Sequence, residues 1–273
     1  MTAGSILYGD AHCHLLELEK KGVDCGPLLT ELSAQHFSFL LDAGINDRSP
    51  DRRFSFRRFF PRLWFGIGFS PAFVAQPDWR TRWEPHLEKW AAHPHVVVIG
   101  EIGLDYYRDY GSRKEQRELF EGQLAFSVRH DLPVQIHNRD ADGDLIAILS
   151  NFRDELRGVM HCFSSDQQVA GRLLDLGLLL SFAGNLTYPK ADAIRDAARY
   201  TPLSRLLCET DSPYLAPQPV RGTINTPRQV IHQYAVLAEL KKTDLRKFVH
   251  RVELNFRELF LKKKGDPREE HPS

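Results

Sequence analysis

The stretch that most constrains this chain runs from Val96 through Glu101, VVVIGE. Val96, Val97, Val98 and Ile99 follow one another with no polar alternation. That is the pattern of a strand buried on both faces, as in a parallel sheet covered by helices. One glycine later the run ends in a carboxylate, Glu101. A carboxylate placed there needs a partner, because a buried unpaired charge is costly. An arginine or water would satisfy a single such residue. Other apolar runs in this chain end in the same way, in His or Asp, and that repetition points to a shared site.

Taken in order, Ile6–Leu15 is a strand carrying Asp10, His12 and His14. Residues two apart in a strand share a face, so the two imidazoles converge. Helical spacing over 28–35 precedes a second buried strand, HFSFLLDAGI. RLWFGIGFS is the third strand, 79–92 a helix, and the stretch from Val96 the fourth strand. The fifth, VQIH, ends at His137, and the sixth leads through Gly158–Met160 to His161. LLLSFAGNL is the seventh, and RLLCETDSPYL the eighth, carrying Glu209 and Asp211. Helical patterns separate these runs, over 113–130, 144–151, 166–176 and 191–200, and two amphipathic helices follow over 226–240 and 244–261. Strand then helix, repeated eight times, predicts a closed (β/α)8 TIM barrel. An open doubly wound sheet fits less well, as no GxGxxG follows the first strand.

Segment 46–62 differs in character. It interleaves Arg48, Arg52, Arg53, Arg57, Arg58 and Arg62 with Phe54, Phe56, Phe59 and Phe60. The spacing of Phe56, Phe59 and Phe60 predicts an amphipathic helix, Phe inward and Arg solvated. A path for single-stranded nucleic acid is the alternative. Basic and acidic residues number 36 each, so no global positive field favours a nucleic-acid partner. The four cysteines form no CxxC pair. No signal-peptide pattern and no membrane-spanning run is present. The expectation is a soluble, cytoplasmic monomer, one domain over 1–262 with a polar tail over 263–273.

In a (β/α)8 barrel the C-terminal strand ends open on one face. His12, His14, Glu101, His137, His161 and Asp211 all fall at such ends. Imidazole with carboxylate is a donor set for divalent first-row metals. Six ligands exceed what one catalytic ion with an open position takes, and fit two ions sharing a carboxylate. Glu101 is the natural bridge, with His12, His14 and Asp211 on one ion and His137 and His161 on the other. Glu209, not needed for that count, is free to orient water or act as a base.

DAHCHL, GEIGLDYY, LPVQIHNRDA, GVMHCFS and ETDSPYL, in that order, resemble the TatD family of metal-dependent deoxyribonucleases in the amidohydrolase superfamily. The resemblance extends over about residues 8–261. It implies a two-metal barrel that hydrolyses DNA phosphodiesters from 3′ ends, single-stranded or frayed. It also implies metal-ligand roles for His12, His14, Glu101, His137, His161 and Asp211, and catalytic roles for Glu209 and Asp211. The ions would be Zn²⁺, Mn²⁺ or Mg²⁺. Arg139 and Arg221 are the candidates to bind substrate phosphate, Arg139 alternatively pairing with Asp140 or Asp142. One departure stands out: Ser70 occupies the place of a histidine usual in the family, which bears on substrate preference. A small ester, amide or lactone is the alternative substrate, since one metal chemistry serves many bonds in this superfamily.

Overall fold

Each apolar run becomes a strand in the computed structural model, which describes residues 7–35, 37–46 and 49–262. The strands are β1 (Tyr8–Cys13), β2 (Phe37–Asp42), β3 (Leu63–Ile67), β4 (Val96–Asp105), β5 (Val134–Arg139), β6 (Gly158–Met160), β7 (Leu179–Phe182) and β8 (Leu206–Cys208). They form one sheet in chain order, every neighbouring pair parallel. Every residue of β2 and β4 is buried, as strands between a barrel interior and a helical layer must be. The chain folds as the expected TIM barrel.

The helices are α1 (Leu15–Lys20), α2 (Cys25–Ala34), α3 (Asp51–Ser55), α4 (Trp79–Trp90), α5 (Arg113–Arg129), α6 (Asp142–Ser150), α7 (Gln167–Asp175), α8 (Asp192–Tyr200), α9 (Val230–Leu240) and α10 (Leu245–Phe256). Their starts follow from local chemistry. The Ser112 hydroxyl accepts from the Glu115 N–H and donates to its carboxylate, a capping box that opens α5. Asp166 and Asp244 each accept two main-chain N–H groups and so begin α7 and α10. Among the described residues no helix is long and apolar enough to cross a membrane.

The seam between β8 and β1 closes beyond the end of β8. Cys13 bridges Ser212, the His14 N–H donates to Ser212 at 2.8 Å, and the Asp211 N–H donates to His12 at 2.9 Å. Two helices cover this seam. From α9, the Tyr234 hydroxyl bonds the Gly9 carbonyl at 3.0 Å; from α10, Phe256 stacks on Phe39 and Asn255 donates to the carbonyls of Leu203 and Leu206.

The Arg/Phe segment folds differently from the expectation. Its helix α3 is five residues long and continues as a 3-10 turn over Phe56–Arg58. Phe56 and Phe60 are buried as their spacing implies, but Arg53 is buried too. Its Nε donates to Asp42 Oδ2 at 2.7 Å and its guanidinium reaches the Gly66 carbonyl. Arg57 lies over Trp64 and Arg62 over Phe60, so these cations are held against rings of their own barrel wall. Arg48 and the tail over 263–273 lie outside the described residues.

Candidate metal centre

Five strands deliver side chains to one point at the C-terminal mouth. His12 stands within β1, and His14 one residue past its end, where the chain turns into α1. Their Nε2 atoms are 3.0 Å apart. Glu101 Oε2 lies 3.6 Å from each, and Asp211 Oδ1 lies 3.7 Å from His12 and 3.4 Å from His14. The other Glu101 oxygen faces elsewhere: Oε1 is 3.1 Å from His137 Nδ1 and 3.8 Å from His161 Nε2. His137 Nδ1 and His161 Nε2 are 3.3 Å apart. The donor atoms form three overlapping groups, His12–His14–Asp211, Glu101–His137–His161 and His12–His161–Glu209, each lying within 4.8 Å. Glu101 turns one oxygen to the His12–His14 pair and the other to the His137–His161 pair.

Glu209 and Asp211 reach this place by a different route from the strand alternation expected of them. Strand β8 ends at Cys208, and Asp211 adopts a left-handed backbone with φ 55°. Glu209 is fully buried; its Oε1 accepts from the Cys162 N–H at 2.6 Å and lies 3.3 Å from His161 Nδ1. Cys162 itself is left-handed, φ 46°, which turns its N–H onto that carboxylate. Glu209 thus grips the far nitrogen of an imidazole whose near nitrogen faces the centre.

Two acidic residues were missed in the sequence. Asp105 Oδ2 lies 3.5 Å from His137 Nε2, while its Oδ1 accepts the Tyr107 and Arg108 N–H groups at 3.0 Å each. Asp10 accepts the Thr210 hydroxyl at 2.6 Å and N–H at 2.9 Å, tying β1 to the segment that carries Glu209 and Asp211. Strand alternation held the signal for both, since Asp105 shares a face with Glu101 and Asp10 with His12. Gly103, between Glu101 and Asp105, has φ +148°, and a Cβ there would sit 1.9 Å from the His137 carbonyl. Only glycine lets β5 bring His137 this close.

The electrostatics describe a strongly coupled centre. Burial alone would depress the His14 imidazole, but the Asp211 and Glu101 carboxylates push it up to about 9. Against the same burial, Asp105 and Glu101 push His137 up to about 10. His12, buried and beside His161, is lowered. Burial opposes ionisation of Glu101, yet His161, His12 and His137 together hold it well below the usual carboxylate range. Even so, His12 Nδ1 and Glu209 Oε2 are buried without a hydrogen-bond partner among the described residues. Imidazole nitrogens facing each other beside two carboxylates are a donor set that a divalent cation fits.

The centre floors a cavity of about 680 Å³. Arg108, Asn138 and Arg139 line it from the ends of β4 and β5; Ile45, Pro71 and Ala72 from the segments after β2 and β3, and Tyr214 and Leu215 from the segment after β8. Arg139 stacks on Tyr107, 3.8 Å from its ring centre, and forms no ion pair with Asp140 or Asp142 among the described residues. Arg221 lies outside the lining and stacks on Tyr188, also at 3.8 Å. Ser70 is buried, its N–H donating to Asn46 Oδ1 at 2.9 Å and its hydroxyl accepting from Asn46 Nδ2 at 3.0 Å.

Comparison with known proteins gives a consistent result. The family model for TatD related DNase matches residues 9–261. YcfH of Escherichia coli K12, described as an uncharacterized metal-dependent hydrolase, is 36% identical over 266 residues, covering 92% of this chain and 94% of that one. YabD of Bacillus subtilis, described in the same words, is 31% identical over 252 residues, covering 92% and 98%. Among solved structures, YjjV, a TatD homologue from Escherichia coli K12, superposes with a TM-score of 0.81 at 26% identity, covering 93% and 98%.

Proposed function

This chain belongs to the TatD-related DNase family, and from that premise we propose that it hydrolyses DNA phosphodiester bonds, working from single-stranded or frayed 3′ ends with two divalent ions. The observation that carries the reading is that one Glu101 oxygen is turned to the His12–His14 pair and the other to the His137–His161 pair. In this reading His12, His14 and Asp211 hold one ion, His137 and His161 the other, and Glu101 belongs to both. Bound Zn²⁺, Mn²⁺ or Mg²⁺ supplies Lewis acidity, which makes water a nucleophile near neutral pH and offsets charge on a phosphate.

The remaining roles fall to the chain's own residues. Glu209 uses Oε1 to fix His161, and its unpartnered Oε2 is the oxygen left to hold a proton. Asp211 lies on the cavity wall, within 4 Å of the His12 and His14 imidazoles, where it would orient the attacking water. The Arg139 guanidinium, held flat on Tyr107, offers a pre-oriented fork to a phosphate, with Arg221 placed farther out. Exposed Tyr107 offers a ring face to an unstacked base.

One observation favours a second substrate, a small ester, amide or lactone. The wall formed by Ile45, Pro71 and Ala72 is uncharged, and Ser70 within it is tied to Asn46. That wall suits an apolar organic group. The deciding experiment strips the metals, adds back Zn²⁺, Mn²⁺ or Mg²⁺, and follows end-labelled single-stranded DNA beside His137→Ala. Metal-dependent shortening from the 3′ end, lost in the variant, supports the nuclease reading. Intact DNA with every metal, in a protein that binds two ions, sinks it and moves the search to esters and amides.

A further inference from the structure

Seven Asn and Gln side chains are buried among the described residues, and six of them clamp main chain. Gln123 bonds both the N–H and the carbonyl of Phe69, and Gln116 accepts the Asp105 N–H. Gln135 donates to Ala11, Asn225 to Thr210 and Tyr214, Gln233 to Glu209, and Asn255 to Leu203 and Leu206. Asn185 is the exception. Gln135, Asn225 and Gln233 also leave a buried oxygen unpartnered but are anchored through their nitrogens. Asn185, 9% exposed, makes no side-chain hydrogen bond among the described residues: its Oδ1 is buried and its Nδ2 is not among the buried unpartnered atoms.

Its backbone is firmly placed. Asn185 sits in the 3-10 turn Gly184–Thr187 that follows β7. A Cβ on Gly184 would come within 1.8 Å of the Leu215 carbonyl, so this turn packs directly on the segment after β8. Thr187 accepts the Gln218 N–H at 2.8 Å, and the Asn185 carbonyl accepts the Tyr188 N–H at 3.1 Å. The side chain lines the same cavity as His161, Cys162 and Asp211. Around that mouth Glu101, Asp105 and Asp211 present only acceptors to an anion, and the guanidinium donors, Arg108 and Arg139, come from the β4 and β5 side. After β6 Ser164 adds a hydroxyl to the lining, and after β7 the lining residue is Asn185.

We propose that Asn185 is a substrate-contacting residue whose amide N–H donates to a non-bridging phosphate oxygen from the β7 side of the cavity. The assignment rests on the phosphodiesterase reading and names one more residue of that site. A neutral donor suits this place, because it binds the anion without adding a charge beside the imidazoles.

The test titrates inorganic phosphate into the Mn²⁺-loaded protein by calorimetry, for wild type, N185L and N185D. The expected result is unchanged Mn²⁺ stoichiometry and an unchanged or higher Tm for N185L, which removes an unpaired buried amide oxygen. Phosphate affinity should fall about tenfold in N185L and further in N185D, where a carboxylate meets the anion. Equal phosphate affinity in all three overturns the assignment, as does a wild type that binds no phosphate. Loss of Tm and Mn²⁺ together in both variants makes Asn185 structural and overturns it too. Wild-type cleavage of end-labelled DNA is read in parallel. Uncut DNA with a weakened N185L phosphate site removes the DNA reading and leaves the donor, whereas cut DNA with equal phosphate binding does the reverse.

Discussion

Two clusters of buried charge lie at the same end of this barrel, and they differ in whether they close on themselves. At the end of β2, Asp42 meets Arg53 at 2.7 Å, with both side chains almost wholly excluded from solvent. The other Asp42 oxygen accepts the Leu15 N–H at 2.9 Å, and the guanidinium spends further donors on the carbonyls of Gly66 and Asp42. One anion, one cation and main-chain partners make a self-contained set. In the candidate metal centre, imidazole nitrogens face one another at 3.0 and 3.3 Å, and His12 Nδ1 and Glu209 Oε2 stand without partners among the described residues. Similar residue types at similar depth thus complete one another's hydrogen bonds in one place and leave donor atoms facing one another in the other. Burial does not distinguish them; completion of the hydrogen-bond set does.

The contrast breaks first, if it breaks, at Glu209. Glu209→Gln keeps the shape but cannot take a proton, so turnover should fall about 10²–10⁴-fold with metal content retained. Initial rates beside metal analysis would check this, and undiminished turnover would make Glu209 a structural acid like Asp42. Arg53→Leu probes the closed cluster. Leaving Asp42 buried alone should cost about 3–5 kcal/mol in urea denaturation, and the double variant D42L/R53L should recover much of it. Metal stoichiometry of the refolded protein should not change.

Smaller effects sharpen the picture. Asp105→Asn withdraws the carboxylate beside His137 Nε2 and should weaken metal binding about 10–100-fold, measured with a chelator competition. Then comes pH. His14 is pushed up to about 9 and His137 to about 10, so both carry protons in the metal-free protein at neutral pH. Metal must displace those protons, and its affinity should fall about tenfold per pH unit on acidification for each proton released. Calorimetry in buffers of different ionisation enthalpy counts them. In the metal-free fold these raised values exceed the ordinary 6.5, so their stabilisation is complete below it and is lost as pH rises through about 9 to 10.

Much of this molecule was legible in the chain. Unbroken apolar runs such as Val96–Ile99 identify strands covered on both sides, and eight strand–helix units leave few architectures besides a barrel. His12, His14, Glu101, His137, His161 and Asp211 could be gathered because a barrel sends every C-terminal strand end to one mouth. Asp10 and Asp105 were equally within reach of the alternation rule. Arg53 was not: spacing tells which residues share a helix face, but not that Asp42 and the Gly66 carbonyl stand opposite. Arg221 illustrates the same limit, since its loop carries it to Tyr188 and away from the cavity lining.

By itself, then, the sequence determined the order of elements and the inventory of donors, because both depend on local periodicity and on the type of residue at each strand end. Tertiary structure decided which polar groups find partners. The Asp42–Arg53 set closes, the two imidazole groups share Glu101, and Asn185 keeps an unpaired amide, all through contacts between segments far apart in the chain. Hydrogen-bond completion is a property of the packed neighbourhood, and no spacing along one strand or helix encodes it.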